Sequence, residues 1–292
     1  KIKKQLLQTA ITASLQAGKA IMEIYKSDDF GIEEKDDKSP LTKADRAAHD
    51  VIMEHLSPLG IPVLSEEGKD ISYEERKNWK QLWIVDPIDG TKEFIKRNGE
   101  FTVNIALIEN QVPVLGVIYV PAKETLYYAD YENAYKIEGV TEDNYEKNKT
   151  HAAQLPLVRD SDLVPSDSLP VGRHGNRVTN KLVTSHLSLV TVVASKSHLS
   201  PETQDFIDDL KTKHAAVNTI SKGSSLKLCM VAEGTADFYP RFAPTMEWDT
   251  AAGQAICMAA NCDVIDQDTC KTMVYNRMEL LNNWFLVKQL DT

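Results

Sequence analysis

Apolar residues recur every three to four positions over the first 25 residues, from Ile2 and Leu6 through Leu15 to Ile21 and Ile24. This spacing matches one face of an α-helix. The chain is therefore predicted to begin with an amphipathic helix over residues 1–25.

The rest of the first half alternates short apolar runs with turn residues. A second helix is predicted from Thr42 to Leu56. The runs Pro62–Leu64 and Leu82–Val85 predict short strands, of which the second is fully buried and ends at Asp86-Pro87. From Phe101 to Ile137 the apolar, β-rich sequence predicts an antiparallel meander. Helices followed by a meander indicate an α+β half.

A polar segment from Val140 to about Leu187 separates this part from the rest of the chain. A connection of this length indicates a functional lid or an inserted surface segment. Strands and helices alternate after it, which predicts an α/β half, so we divide the chain into residues 1–139 and 140–292. The predicted strands are Leu189–Ala194, Ala216–Ile220 and Ala236–Tyr239, and the predicted helices are Pro201–Lys213, Ser225–Glu233 and Asp249–Ala260.

Composition narrows the functional classes. The 292 residues carry a formal net charge of −10, and attraction to a nucleic-acid polymer needs a basic face, so we expect no such partner. No apolar run approaches the roughly 20 residues of a transmembrane segment. The four Cys have neither metal-ligand spacing nor the density of a disulfide scaffold. We expect a cytoplasmic protein with reduced thiols, and peripheral contact at the inner face of the membrane remains an open alternative.

The sharpest chemical signal is Asp86-Pro87-Ile88-Asp89-Gly90-Thr91, directly after a buried strand. Two carboxylates three residues apart, with an outward-pointing backbone carbonyl, are the hard oxygen ligands that Mg²⁺ prefers. Gly90 permits close approach of the backbone to a ligand, and a helix beginning near Thr91 would offer N–H groups to a phosphate. The structural alternative is a turn that caps a helix.

Two further acidic positions favour the metal site. Glu66-Glu67 follows another short strand, and Asp249 begins a helix rich in small residues. Three separate carboxylate positions are what phosphoryl transfer with two metal ions requires. The structural alternatives are a solvated pair of glutamates and a helix N-cap.

Asp45 has two interpretations. It lies in Thr42-x-x-Asp45, just before an apolar-periodic helix, and fits a capping box. It can also accept a proton from the Thr91 hydroxyl, which would leave Thr91 able to deprotonate a metal-bound water. From the residues alone, the cap is favoured.

Two long strings carry a family resemblance. The segments 83–91 and 248–253, WIVDPIDGT and WDTAAG, resemble the paired signatures of the inositol-monophosphatase-like, lithium-sensitive Mg²⁺ phosphatases, and Glu66-Glu67 precedes the first at the separation used in that family. Within it, the chain is most similar to the bacterial 3′(2′),5′-bisphosphate nucleotidases. That similarity rests on Lys35-x-Asp37-x-Ser39-Pro40-x-Thr42-x-Ala44-Asp45, Ser195-Lys196-Ser197-His198, Gly223-Ser224-Ser225-Leu226-Lys227 and Tyr239-Pro240-Arg241-Phe242. The resemblance implies a layered α-β-α-β-α sandwich with the active site between the two halves.

The resemblance also implies roles for single residues. Thr91 with Asp45 would position the nucleophilic water. Two or three Mg²⁺ would be held by Glu66, Asp86, the Ile88 carbonyl, Asp89 and Asp249. The scissile phosphate would contact the backbone of Gly90 and Thr91, and the rest of a nucleotide bisphosphate would contact His198, Ser224, Lys227 and Arg241. Taken singly, Lys227 and Arg241 fit solvated surface charges, and His198 fits an exposed or helix-capping side chain.

The implied reaction removes the 3′-phosphate of adenosine 3′,5′-bisphosphate to give AMP and phosphate, in a monomer or a homodimer. The first alternative is an inositol or fructose phosphatase on the same scaffold. The second is a non-catalytic nucleotide sensor, which would lack a metal ligand or Thr91, and the sequence contains both.

Overall fold

Five alternating layers of helix and sheet form the computed structural model, which describes residues 2–27, 29–35, 39–156, 189–195 and 199–290. The α-helices in this part of the chain are α1 (Ile2–Tyr25), α2 (Lys43–Leu56), α3 (Tyr73–Arg76), α4 (Thr91–Ile95), α5 (Tyr145–Asn148), α6 (Pro201–Lys213), α7 (Leu226–Glu233) and α8 (Glu247–Ala259). The strands are β1 (Glu33–Glu34), β2 (Pro40–Leu41), β3 (Val63–Ser65), β4 (Gln81–Asp89), β5 (Thr102–Glu109), β6 (Val112–Val120), β7 (Thr125–Ala129), β8 (Ala134–Ile137), β9 (Ala153–Gln154), β10 (Leu189–Ala194), β11 (Ala216–Ser221), β12 (Phe238–Arg241), β13 (Cys262–Asp266), β14 (Lys271–Thr272) and β15 (Phe285–Gln289).

The layers follow from which element covers which sheet. Helices α1 and α2 pack on one face of a seven-stranded sheet of order β3-β4-β5-β6-β7-β8-β9, and α7 and α8 cover its other face. The same two helices pack against a six-stranded sheet of order β11-β10-β12-β15-β13-β14, whose outer face carries α6. The predicted α-β-α-β-α arrangement is confirmed.

Strand β4 shows how the sequence builds the two main cores. Trp83 and Val85 point into the core beneath α1 and α2, whereas Leu82 and Ile84 point into the core shared with α7 and α8. Successive side chains of a strand face opposite sides of a sheet. A strand buried on both faces therefore reads as a continuous apolar run, as this one does.

Local chemistry sets where two of the helices begin. The Thr42 hydroxyl accepts a hydrogen bond from the Ala44 N–H at 3.2 Å at the start of α2. The Ser200 hydroxyl accepts one from the Thr203 N–H at 3.2 Å at the start of α6, with Pro201 in the first helical position. Both arrangements satisfy N–H groups that have no partner within the helix.

The structure corrects the bounds of two predicted strands and adds three strands that the sequence did not predict. Strand β4 continues past Asp86-Pro87 to Asp89, and β12 begins at Phe238 instead of Ala236. Strands β13, β14 and β15 lie beyond the last predicted element. They are short, and β15 lies between β12 and β13, out of sequence order, so local periodicity does not reveal them.

Strand β9 also extends the seven-stranded sheet beyond residue 139, because its residues pair with β8. The division of the chain at that residue stays a prediction. Residues 157–188 of the predicted polar segment lie outside the described residues. Among the helices that the structure describes, none is long and apolar enough to cross a lipid bilayer.

Helix α8 lies so close to β6 that Gly116 has no room for a side chain. A Cβ added there would lie 2.3 Å from the Ala252 carbonyl oxygen and 2.9 Å from the Ala255 Cβ. The first of these atoms belongs to helical backbone, which cannot rotate away. Glycine at this position therefore sets how closely α8 approaches the sheet.

We predict that Gly116→Ala lowers the free energy of unfolding by about 3 kcal/mol, because the helix must shift to admit one methyl group. Urea denaturation measures this change. The matched control is Gly139→Ala, where φ is +65° but no atom lies within 4 Å of the added Cβ; it should cost about 1 kcal/mol of left-handed strain. Equal losses in the two variants would contradict the packing explanation.

Candidate active site

The end of β4 carries a β-bulge that brings two carboxylates to one edge of the sheet. Asp86 pairs with Asn104 and Asp89 with Thr102, so β4 contains one more residue than β5 over this stretch. Pro87 lies inside the bulge, where its missing N–H disrupts no regular ladder. Asp86 is buried and accepts a hydrogen bond from the Ile88 N–H at 3.1 Å.

Gly90 connects the bulge to α4. Its φ of 94° lies in the left-handed region, which is unfavourable for other residues. A Cβ added here would also lie 3.2 Å from the Glu100 carbonyl oxygen and 3.3 Å from the Ser224 Cβ. Glycine therefore allows the bulge, the first turn of α4 and the Ser224 loop to meet.

Asp45 on α2 makes the contacts on which both interpretations of its sequence position rest. Its Oδ2 accepts hydrogen bonds from the Thr42 N–H at 2.7 Å and the Thr42 hydroxyl at 2.5 Å, which completes the capping box. Its Oδ1 accepts a hydrogen bond from the Thr91 hydroxyl at 3.0 Å. Burial raises the pKa of Asp45 above its ordinary value. The cap thus holds the carboxylate in the position from which it contacts Thr91.

Three carboxylates meet at the bulge, two from β4 and one from the distant helix α8. Asp86, Asp89 and Asp249 each offer an oxygen, and these oxygens lie within 4.8 Å of one another. Asp249 comes from the first turn of α8, where it also accepts a hydrogen bond from the Met246 N–H at 2.7 Å. Glu66 lies close enough to Asp86 for its charge to raise the pKa of that carboxyl group.

The cluster is electrostatically strained. Burial raises the pKa of Asp86 well above its ordinary value, and the charges of Glu66, Asp89 and Asp249 raise it further. Burial and the neighbouring Asp89 raise the pKa of Asp249 to about 8. Crowded carboxylates of this kind fit a divalent cation, because hard oxygen donors and uncompensated negative charge are what Mg²⁺ binds. The residues present therefore suit a metal centre of several carboxylates.

Lys35 supplies positive charge at the edge of this cluster. Its Nζ lies 2.9 Å from a Glu66 carboxylate oxygen and also contacts Glu67. Burial raises the pKa of Glu66 above its ordinary value, and the positive charge of Lys35 reduces this rise. The sequence assigned no role to Lys35, although it belongs to a string that carried the family resemblance.

Ser225 and Asn104 contact the carboxylate cluster, although the sequence analysis assigned neither of them a role there. The Ser225 hydroxyl lies 2.5 Å from Asp89 Oδ2 and 3.0 Å from the Asp249 carbonyl oxygen. Asn104 Nδ2 donates to Ser225 Oγ at 2.7 Å. The sequence signal that could have identified Asn104 is that it is a polar residue inside the mostly apolar strand β5. These two side chains connect β4, β5, α7 and α8 at the carboxylate cluster.

A cleft of about 380 Å³ opens from the cluster and contains most of the predicted substrate contacts. Its walls include Asp89, Gly90, Ser224, Lys227, Arg241 and Asp249. His198 lies outside the described residues, so its predicted contact is not placed. The cleft joins an acidic end to a basic wall.

Lys227 is not a solvated surface lysine. It is 5% exposed, its Nζ donates to the Ser224 carbonyl oxygen at 2.6 Å, and it lies 5.4 Å from the centre of the Tyr239 ring. Burial lowers the pKa of Lys227 to about 8. An anion in the cleft would stabilise its charged form.

Two polar atoms in the same wall are buried without a partner in the part of the chain that the structure describes. They are Ser224 Oγ and Arg241 Nε. Ser224 also adopts a left-handed φ of 47°. A buried polar group without a hydrogen bond is unfavourable, so these atoms indicate a place for a polar ligand.

Comparison with known proteins agrees with this geometry. Residues 2–290 match the model of the inositol monophosphatase family. The chain therefore belongs to the inositol monophosphatase family, as its sequence strings implied.

Within the family, several similar proteins with high coverage and at least 41% identity carry the name CysQ. The chain is 42% identical over 287 residues to the 3′(2′),5′-bisphosphate nucleotidase CysQ of Salmonella typhimurium, covering 97% of this chain and 99% of that protein. It is 41% identical to the CysQ of Escherichia coli (strain K12), covering 89% and 90%. The crystal structure of CysQ from Bacteroides thetaiotaomicron superposes with a TM-score of 0.79 at 47% identity, covering 98% and 97%.

The shifted pKa of Asp249 predicts how pH acts on the metal-free protein. The unfolded chain loses the Asp249 proton near pH 4, whereas the folded protein keeps it to about pH 8. The free energy of unfolding should therefore fall as pH rises through this window. Because a cation competes with that proton, the rise in Tm on adding Mg²⁺ should be larger at pH 8 than at pH 5.

Thermal unfolding with and without Mg²⁺ measures both effects. In Asp249→Asn the free energy of unfolding should depend less on pH, and the rise in Tm on adding Mg²⁺ should be smaller. Asp70→Asn removes the same formal charge at an exposed position and should behave like the wild type. A slope that persists unchanged in Asp249→Asn would show that another group causes it.

Proposed function

We propose that this protein is a Mg²⁺-dependent 3′(2′),5′-bisphosphate nucleotidase that removes the 3′-phosphate of adenosine 3′,5′-bisphosphate to give AMP and phosphate. The observation that carries this proposal is one cleft with a carboxylate cluster at one end and the buried Lys227 beside Arg241 in its wall. A substrate with two separated phosphates complements both. The names of the similar proteins support the same substrate class.

We assign Glu66, Asp86, Asp89, Asp249 and the Ile88 carbonyl to two or three Mg²⁺ ions. When bound, such ions lower the pKa of coordinated water and neutralise charge on phosphate oxygens. The protein contributes the fixed positions of the ligands. Ser225 holds Asp89, and the Met246 N–H holds Asp249, so the carboxylates do not spread apart under their mutual repulsion.

Thr91 and Asp45 form the proton acceptor of the proposed reaction. Because the Thr91 hydroxyl donates to Asp45 at 3.0 Å, the lone pairs of Thr91 Oγ1 can accept a proton from an attacking water. The Thr91 proton then passes to Asp45, whose raised pKa favours its acceptance. The capping bonds to Thr42 keep Asp45 oriented during this transfer.

The second phosphate is assigned to the basic wall. Lys227 and Arg241 supply charge, and the unpartnered Ser224 Oγ and Arg241 Nε supply hydrogen-bonding capacity. The scissile phosphate is assigned to the backbone of Gly90 and Thr91, at the bulge side of the cleft. His198 remains a predicted contact, and the cytoplasmic location and the monomeric or homodimeric state also stay predictions.

We predict that the purified protein with saturating Mg²⁺ releases phosphate from adenosine 3′,5′-bisphosphate with a higher kcat/KM than from inositol 1-phosphate or fructose 1,6-bisphosphate. Asp86→Asn should lower kcat by at least about 100-fold, because it removes charge from the centre of the ligand set. A phosphate-release assay with the three substrates measures both quantities.

Glu132→Gln, an exposed acidic position on the β7–β8 turn, is the matched control and should keep wild-type activity. Unchanged activity in Asp86→Asn would refute the metal assignment. Preference for one of the sugar phosphates would favour the inositol or fructose phosphatase alternative. Nucleotide binding without turnover would favour the sensor.

Removing a cation from the wall should affect only substrates that carry the second phosphate. We predict that Lys227→Met raises KM for adenosine 3′,5′-bisphosphate roughly 10- to 100-fold, as expected for the loss of one charged hydrogen bond. KM for adenosine 3′-monophosphate, which lacks only the 5′-phosphate, should change less than about threefold.

Arg241→Met should show the same selectivity, and the exposed control Lys69→Met should change neither KM. The comparison of two substrates separates loss of a phosphate contact from general damage to the cleft. Equal increases in KM for the two nucleotides would show that the wall does not bind the 5′-phosphate.

A further inference from the structure

The orientation of the Asp249 carboxylate depends on a peptide group three residues before it. Asp249 Oδ2 accepts a hydrogen bond from the Met246 N–H at 2.7 Å. Any movement of the Met246 peptide would therefore rotate or displace the carboxylate relative to Asp86 and Asp89. Contacts that hold the Met246 peptide in place therefore also hold the Asp249 carboxylate.

The loop 275–282 holds the segment before α8 as a short added strand. The Glu247 N–H donates to the Leu280 carbonyl oxygen at 2.9 Å, and the Asn282 N–H donates to the Thr245 carbonyl oxygen at 2.8 Å. Met246 and Leu281 form an antiparallel bridge between these bonds. The Met246 peptide is thus fixed from a part of the chain that contributes nothing to the cleft wall.

Asn282 connects this loop to both sides of Asp249. Its Nδ2 lies 2.8 Å from the Met246 carbonyl oxygen and 3.1 Å from Thr250 Oγ1. Its Oδ1 accepts a hydrogen bond from Arg277 Nη2 at 2.7 Å. The side chain is 5% exposed, so these bonds are shielded from competing water.

Glu247 fixes the loop from the helix side. It is fully buried, its Oε2 accepts from the Asn276 N–H at 2.7 Å, and its Oε1 accepts from the Arg277 N–H at 3.0 Å. Side chains from both segments therefore join the loop to the start of α8: Asn282 from the loop and Glu247 from the helix.

We propose that Asn282 is a positioning residue for the metal centre, which it orients through Met246 and Asp249 without contacting substrate. This inference rests on the proposed function only in taking Asp249 as a metal ligand. Groups that orient metal ligands by hydrogen bonding typically contribute a factor of about 10 to 100 in metal affinity. Asn282 itself is not among the residues that line the cleft.

Asn282→Asp tests the proposal with almost no change in shape. It keeps an oxygen for Arg277 but replaces the donor that faces the Met246 carbonyl with an acceptor. We expect the dissociation constant for Mn²⁺, measured by calorimetry on the metal-free protein, to rise roughly 10- to 100-fold. The Mg²⁺ concentration for half-maximal phosphate release should rise by a similar factor, with KM for the bisphosphate at saturating Mg²⁺ changed less than about twofold.

Arg76→Met is the matched control for general loosening of the loop. Arg76 donates to the carbonyl oxygens of Arg277 at 2.6 Å and Met278 at 2.9 Å, so it holds the same loop from the side away from α8. We expect it to lower Tm and leave Mn²⁺ binding unchanged. If Asn282→Asp does not fold, Glu247→Gln replaces it. Its single amide oxygen cannot accept from both the Asn276 and the Arg277 N–H groups, as the two carboxylate oxygens do, so it should also weaken Mn²⁺ binding.

The proposal is overturned if Asn282→Asp, or Glu247→Gln in its place, lowers Tm but binds Mn²⁺ as tightly as the wild type. It is also overturned if Arg76→Met weakens Mn²⁺ binding equally. Failure of the proposed function gives a different result: the wild type would bind Mn²⁺ and lose this binding in Asp249→Asn, yet release no phosphate from the bisphosphate. In that case the Mn²⁺ constants of Asn282→Asp and Arg76→Met still decide the positioning role.

Discussion

Repulsion among buried carboxylates is the constraint on which the rest of the site depends. Asp86 is almost fully buried, and Glu66, Asp89 and Asp249 each add to the rise in its pKa. Such a group separates unless other bonds hold each member. Here each is held by a different element: Ser225 of the α7 loop bonds Asp89, and the backbone before α8 bonds Asp249. The layered fold brings these elements together at the end of β4.

Several residues serve structure and chemistry with different atoms of one side chain. Asp45 caps α2 with Oδ2 and contacts Thr91 with Oδ1. Asp249 bonds the backbone before α8 and also offers an oxygen to the carboxylate cluster. A cap is therefore no argument against a functional role at these positions. It fixes the direction in which the remaining oxygen points, which is what an ordered metal ligand needs.

The cleft carries opposite charges at its two ends although the chain as a whole is acidic. A formal net charge of −10 would repel a doubly phosphorylated nucleotide at long range, so attraction has to be local. The proposed source of this attraction is Lys227, which is buried, and charge is less screened in the interior than on the surface.

Elements with a local sequence signal could be predicted from the chain alone. Helix α1, the antiparallel meander and the capped start of α2 follow from periodicity and capping chemistry, and the strings at 83–91 and 248–253 identified the family. The sequence could not determine that β4 runs through Pro87, because a bulge depends on the partner strand, nor the order of β13, β14 and β15, because long-range pairing leaves no local period. Packing of the layers was needed to show that Lys227 is buried, that Ser225 and Asn104 join Asp89, and that Asn282 lies against Met246. Each of these is a contact between residues far apart in the chain, and such contacts arise only when the layers pack.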